Sequence, residues 1–349
     1  MAKKINKSII TVLKLVLPVL IGMYLFWYFY SAMSEPTKII FFRTIKDANY
    51  LWIILSMLLG FLSHLVRAYR WKYMLEPIGF KPFFWHRYHA VMIGYLVNLL
   101  IPRAGEATRA AMLYRTDKIS FSKSFGTIIA ERMFDLVMLG IIFLVTILLS
   151  FDDLLALKEL IISGKNGASG EGSSWIINTL ISVFAGGILL FAILWFKIKT
   201  FRTKVISFVK DVLNGVFAIF KSKKPFHFIF YTFIVWGLYL FLFGICFQAF
   251  PETQNFPIHG MLIGFIAGTV GLMFTNGGIG AYPYLVGIVV TFYIGDSFDT
   301  ATEAEGVGKA LGMLLWSSQT ILMIILGLVS LIVLPRNYKK EKDDKVGTD

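Results

Sequence analysis

Long apolar runs alternate with short polar segments along almost the whole chain. Six of these runs are long enough to cross a membrane as helices: about 9–30, 49–66, 124–150, 175–196, 226–250 and 310–334. Crossing the ~30 Å hydrocarbon core takes about 20 apolar residues at a rise of 1.5 Å each. Two more runs do not fit that template. Residues 90–101 are too short, since twelve helical residues reach only ~18 Å. Residues 258–294 are long enough but are broken by Asn276-Gly277-Gly278-Ile279-Gly280 and by Pro283, a density of Gly and Pro that interrupts a helix. Segment 197–224 has another pattern. Val205, Phe208, Val209, Val212, Leu213, Val216, Phe217 and Phe220 recur at helical spacing, with lysines at both ends. This predicts an amphipathic helix lying in the cytoplasmic interface, as a connector or as a regulatory element.

Composition supports the membrane reading. Hydrophobic residues make up 57% of the 349 and charged residues 16%, against about 25% charged in an average soluble domain. The net charge of +13 is spread between apolar spans rather than gathered in one domain, which argues against nucleic-acid binding and for contact with anionic headgroups. One cysteine, Cys246, excludes a disulfide framework within the chain and a multi-cysteine zinc site. The N-terminal lysines and the run 9–30 resemble a signal peptide. The run is longer than a usual signal core and no clear cleavage site follows, so it reads as a retained first span.

Loop charge sets the topology. Both flanks of residues 90–101 are basic: Arg67, Arg70, Lys72, Lys81 and Arg87 on one side, Arg103, Arg109, Arg115, Lys118 and Lys123 on the other. Both flanks are therefore expected in the cytoplasm, and the short run dips in and returns as a re-entrant hairpin. Segment 151–174 is acidic and belongs outside; 197–224 is rich in Lys and Arg and belongs inside. The flanks of 258–294, read as far as Glu305, lack Lys and Arg and hold Glu252, Asp296, Asp299, Glu303 and Glu305, so this run reads as a second hairpin, entered from outside. The expectation is an all-α polytopic membrane bundle forming one integral domain, with six full spans, two re-entrant hairpins, a charged tail at 336–349 and both termini in the cytoplasm of an inner (cell) membrane. Each half then has span, span, hairpin, span. Three spans per half invert the second half, the layout of an inverted repeat. An eight-span bundle is the alternative; it would put a Lys/Arg-rich loop outside.

Four constellations could carry chemistry. In Asn98-Leu-Leu-Ile-Pro102-Arg103-Ala-Gly105-Glu106-Ala-Thr-Arg109, proline ends the apolar run where charge begins. A helix starting there puts Glu106 three residues from Arg103 and from Arg109, so that one carboxylate can hold both. Paired guanidiniums near a helix start suit phosphate; a rim of snorkelling arginines is the plain alternative. In Glu131-Arg132-Met-Phe-Asp135, two carboxylates share one helical face. At membrane depth such charges cost at least ~2.5–3.5 kcal/mol each, so they are expected to face inward. Arg103, Arg109, Arg132, Glu106, Glu131 and Asp135 are expected to form one buried network of three positive and three negative groups. Arg67-Ala-Tyr-Arg70-Trp71 reads first as positively charged anchors with an interfacial tryptophan, and Arg70 is also a candidate headgroup ligand with Arg103, Arg109 and Asn98. Asn276, Gly277, Gly278 and Gly280 expose backbone that could line a cavity or serve as a packing hinge. Familiar hydrolase, metalloprotease and P-loop motifs are missing. No catalytic residue, metal ligand or cofactor is expected.

The order Arg70-Trp71, Gly94-Tyr95…Asn98…Pro102-Arg103-Ala-Gly105-Glu106…Arg109, Glu131-Arg132…Asp135 and Gly277-Gly278-Ile279-Gly280 resembles the lysylphosphatidylglycerol synthase transmembrane-region family of flippase-like proteins, over about residues 10–335. In that family's best-understood members this domain translocates aminoacylated phosphatidylglycerol, which a separate cytosolic domain makes. Here a short charged tail follows Leu334, so the resemblance implies lipid handling without lysyl transfer, with a separate cytosolic or membrane enzyme as one candidate partner. Asn276 and Pro283 stand where the family often has Pro and Glu, which departs from any second-half carboxylate role at that place. The functional expectation is binding or translocation of an anionic phospholipid or polyprenyl-linked lipid. A membrane transferase using a lipid-phosphate donor and a lipid-binding scaffold are the rivals.

Overall fold

A computed structural model describes residues 26–163 and 224–346, with a few isolated positions within 20–24 and 195–206. Most of the expected span 9–30, the span 175–196, much of the acidic loop 151–174 and the amphipathic segment 197–224 lie outside the described residues. Among the described residues every regular element is a helix. Four are long and apolar enough to cross a membrane: Tyr50–Ile78, Phe121–Leu157, Pro225–Ala249 and Ala301–Leu334. They coincide with four of the six expected spans.

The helices in chain order are α1 (Glu35–Lys46), α2 (Tyr50–Arg70), α3 (Phe84–Leu100), α4 (Gly105–Asp117), α5 (Phe121–Ser163), α6 (Pro225–Ile245), α7 (Ile258–Phe274), α8 (Ala281–Ile294) and α9 (Ala301–Val346). Helix α1 has no counterpart among the expected elements. Its start is nonetheless written locally: Ser34 accepts a hydrogen bond from the Thr37 amide at 3.3 Å, and Pro36 sits in the first turn, where a missing N–H costs nothing. Thr37 and Phe41 are buried, and Ile40 packs beside Gly306 of α9.

Helix lengths repeat. Helices α2 and α6 each have 21 residues, and α3 and α7 each have 17. Helices α4 and α8 have 13 and 14, and α5 and α9 have 43 and 46. The sequence shows no matching similarity between the halves, so the correspondence lies in element length and order. Helix α5 is interrupted once, at Ser150 (φ −137°, ψ 28°). Beyond that kink Asp153 accepts a hydrogen bond from the Tyr293 hydroxyl at 2.7 Å and lies 3.3 Å from His259 Nε2.

The turns between α3 and α4 and between α7 and α8 are both left-handed in part. Arg103 has φ 62°, and Gly277, Gly278 and Gly280 have φ 63°, 75° and 73°. The glycines adopt this region freely; Arg103 does so at a steric cost. The two turns meet. The Asn276 side-chain amide donates to the Leu99 carbonyl at 2.7 Å, and Trp316 Nε1 donates to the Gly277 carbonyl at 2.7 Å. Asn276 therefore acts as a donor from one turn to the other, beyond its expected role as exposed backbone.

Glycines set the helix contacts. A side chain on Gly308 would put its first carbon 2.7 Å from the Gly287 carbonyl oxygen, and one on Gly94 would come 2.9 Å from the Gly105 carbonyl oxygen. Both are too close for any real contact, so α8 packs on α9, and α3 on α4, through bare backbone. Gly308→Ala should lower the thermal unfolding midpoint in detergent by several degrees, as overpacking typically costs ~1–3 kcal/mol. Gly140→Ala, with nothing within 4 Å of the added carbon, should leave the midpoint unchanged or slightly raised.

Candidate functional site

Helical spacing on α2 and α5 puts the main charges in register. Arg67 and Arg70 share one face of α2, three residues apart, and Glu131 and Asp135 share one face of α5, four apart. Arg70 is fully buried, with its Nη2 3.0 Å from both Glu131 Oε1 and Asp135 Oδ1. Arg67, only 4% exposed, pairs with Asp135 and places its Nε 3.4 Å from Glu131 Oε1. Helix α4 adds Arg109, whose two terminal nitrogens donate to the two Glu131 oxygens at 3.2 and 2.8 Å. Glu131 thus sits between three guanidiniums and is itself fully buried.

Neighbouring helices complete the cluster. Arg67 donates to the Tyr95 hydroxyl of α3, and Arg70 donates to the Thr232 hydroxyl of α6 at 3.0 Å. The Arg109 guanidinium lies 3.7 Å from the centre of the Trp71 ring, close enough for strong cation–π attraction in a dry site. Trp71 is fully buried and donates its Nε1 hydrogen to Thr127 at 2.9 Å. Five helices, α2 to α6, therefore meet on two carboxylates.

This arrangement corrects three expectations. Arg67, Arg70 and Trp71 are central and buried, not interfacial anchors, because the carboxylates of α5 face α2 and draw both arginines inward. Glu106 holds neither Arg103 nor Arg109: it pairs with Arg132 at 2.9 Å, and the two side chains are 22% and 38% exposed. Arg109 turns to Glu131 instead, where a bidentate contact is available in a drier place. The six charges expected in one network divide accordingly. Arg109, Glu131 and Asp135 join the buried cluster, Glu106 and Arg132 form a separate half-exposed pair, and Arg103 stands exposed at the turn with no ion pair among the described residues. Asn98 is used locally, its carboxamide oxygen accepting from the Gly105 amide at 2.6 Å.

The buried cluster has three guanidiniums against two carboxylates, an excess of one positive charge. The Nε donors of Arg67, Arg70 and Arg109 all lack a hydrogen-bond acceptor. A narrow cleft, open on one side, lies against it. Gly94, Asn98, Gly105, Glu106, Arg109 and Arg132 are among its lining residues, so the two charged groups share one wall. Asn276, Gly277, Gly278 and Gly280 lie at the other turn and do not line this cleft. Sequence reasoning undervalued Arg67, although its place one helical turn before Arg70 carried the signal. No group of three or more His, Cys, Asp or Glu side chains among the described residues could hold a metal.

Comparison with known proteins fits this frame. A family model described as the lysylphosphatidylglycerol synthase TM region matches residues 15–302. A UPF0104 membrane protein of Methanocaldococcus jannaschii is 24% identical over 321 residues, covering 86% of this chain and 90% of that protein. A UPF0104 membrane protein of Pyrococcus horikoshii is 33% identical over 102 residues, 27% of this chain and 30% of its own length. No solved structure matches.

The two charged groups should respond differently to mutation. Glu131→Ala leaves three buried guanidiniums facing one carboxylate, and breaking a buried pair from one side typically costs ~3–5 kcal/mol. Monodisperse yield on size exclusion should collapse. Arg132→Ala breaks a pair partly open to solvent, worth at most ~1 kcal/mol, and should leave yield and thermal midpoint near wild type.

Proposed function

The chain belongs to the lysylphosphatidylglycerol synthase transmembrane-region family, and from that premise we propose that it binds and translocates an anionic lipid, with the headgroup phosphate received in the cleft beside Arg109. The observation that carries this reading is the buried excess of one positive charge against an open cleft. An unpaired charge in low-dielectric surroundings is costly, and a phosphodiester, with one negative charge, would neutralise it. The first turn of α4 adds a second attraction. Its start at Gly105 borders the same cleft, and a helix N-terminus favours an anion through its dipole. Arg103, exposed at the turn, is a capture group on the approach; Arg132 flanks the entrance. Arg70 and Asn98 hold the frame rather than the ligand.

The proposed setting is an inner (cell) membrane, with both termini cytoplasmic, six full spans and two re-entrant hairpins, α3–α4 and α7–α8. The repeated helix lengths and the hydrogen bond between the two hairpin turns support it: hairpins entering from opposite faces would meet tip to tip at mid-depth. Backbone that leaves helical form at such depth is tolerated where protein or a cavity covers it. A separate enzyme supplying or consuming the lipid is the proposed partner.

Cysteines introduced at 115–120 and at 251–256 should label from opposite sides of the membrane; labelling from one side contradicts the hairpin topology. Proteoliposomes holding the purified protein should move fluorescent phosphatidylglycerol between leaflets faster than phosphatidylcholine. Equal rates, or none above empty vesicles, contradict the functional reading, and turnover of a lipid-phosphate donor without lipid movement identifies a transferase. Arg103→Gln should weaken binding of anionic lipid several-fold, more at low salt than at high, without shifting the thermal midpoint.

A further inference from the structure

The second half carries a buried charge pair of its own. Glu305 and Lys309 lie one turn apart near the start of α9, are 7% and 6% exposed, and bond to each other. Their position matches the first site. Counted from the first residue of the preceding hairpin's second arm, Glu131 and Asp135 lie 26 and 30 positions on, and Glu305 and Lys309 lie 24 and 28. Both pairs are spaced four apart on the long helix that follows a hairpin. The first half puts two carboxylates there and draws arginines to them. The second half puts one carboxylate and one amine.

The surroundings of the pair are mostly apolar. From the segment before α1, the Phe29 ring centre lies 5.9 Å from Lys309 Nζ. From α1, the Thr37 hydroxyl lies beside the Glu305 carboxylate. From α8, Gly287 packs on the Lys309 backbone. The nearest charges on α1, Lys38 and Glu35, pair with each other at 2.7 Å, and among the described residues neither Glu305 nor Lys309 makes another ion pair. Lys309 bonds to Oε1 of Glu305, and Oε2 is left outside that bond, with the Thr37 hydroxyl near the carboxylate. A nine-tenths-buried carboxylate with one oxygen outside its ion pair is a place for a proton.

We propose that Glu305 and Lys309 form a second phosphate-anion site, opened by a proton: Glu305 takes up the proton as a neutral carboxylic acid, and Lys309, released, pairs with the phosphodiester of the lipid. This rests on the functional reading above and extends it to the far half of the molecule. The charge balance favours it. With Glu305 ionised, the site is a neutral ion pair. With Glu305 protonated and the anion bound, the site is again neutral, since the ammonium then faces the phosphate. Neither state buries a net charge, which in a membrane interior is the costly outcome. One proton enters with one anion, so passage through this site moves no net charge.

The test is the number of phosphatidylglycerol molecules bound per chain. A fluorescent short-chain phosphatidylglycerol is titrated into the full-length protein in detergent, at fixed ionic strength, at about pH 8 and at about pH 5, a range spanning the titration of a buried Glu. The wild type should bind one at the higher pH and two at the lower. Glu305→Gln, which removes the carboxylate but keeps its shape, should bind two at both. Lys309→Met should bind one at both, and it carries the test if Glu305→Gln proves unstable by thermal unfolding. One lipid per wild-type chain at both pH values, or two at low pH in Lys309→Met, would overturn the proposal. Absence of the first, pH-independent lipid would overturn the functional reading instead, while a low-pH lipid lost in Lys309→Met would still support this site. Competition by sn-glycerol 3-phosphate shows that the phosphate alone is held; competition by lipid only shows that the chains are needed as well. Read on the low-pH lipid that Lys309→Met loses, either result supports the Lys309 site.

Discussion

Glu131 pairs with three arginines at once, and most of what surrounds it follows from that. A buried carboxylate must be paired, and here the partners come from α2 and α4, with Asp135 repeating the demand one turn further along α5. Each arginine then needs its own surroundings. Trp71 covers Arg109, Tyr95 and Thr232 each take one further donor, from Arg67 and Arg70 respectively, and Thr127 fixes the tryptophan. Five helices become one unit around a few polar contacts. In a membrane interior such contacts matter for alignment, because lipid tails compete well with apolar side chains for the helix surfaces. The cluster also comes out one positive charge in excess, and the cleft beside Arg109 gives that excess an outlet.

The second organising feature is the pair of hairpins. Glycines let α3 approach α4 and α8 approach α9 through bare backbone, and left-handed residues turn the chain at each tip. The tips are then joined by the bond from Asn276 to Leu99 and pinned by Trp316. A charge site lies on each long helix that follows a hairpin, arginine-rich in one half and a lysine–glutamate pair in the other. An anion passing between the two halves would meet a cationic partner at each end.

Much of the fold was legible in the sequence, because length and apolarity are enough to mark a span. Four expected spans fall on long apolar helices, the run 258–294 becomes two shorter helices divided at the Asn276–Gly280 stretch, and the run 90–101 forms the end of one helix, α3, that stops before Pro102; the return arm α4 lies in what read as a basic flank. Helix α1 was not legible, since twelve residues of mixed character give a weak periodic signal and its burial depends on α9. The site was legible in part. Glu131 and Asp135 stood out because charges are rare in an apolar run. Arg67 and Arg70 were read as anchors because nothing local tells an arginine at a membrane edge from one drawn inward by another helix. Lys309 escaped notice although Glu305 stands four residues earlier, because nothing local shows that both are buried. Pairing choices such as Arg109 to Glu131, rather than to Glu106, depend on the distance between helices, which spacing along the chain does not contain.

The central claim is that the buried positive excess is there to receive an anionic headgroup. Thermal unfolding of the purified protein in detergent, titrated with phosphatidylglycerol and separately with phosphatidylcholine, tests it most directly, since a ligand bound by the folded state alone raises the midpoint with its concentration. A saturable rise of several degrees with phosphatidylglycerol, largely kept at high salt because the site is buried, and little or none with phosphatidylcholine, is the predicted result. Equal shifts with both lipids, or a phosphatidylglycerol effect abolished by salt, would contradict it.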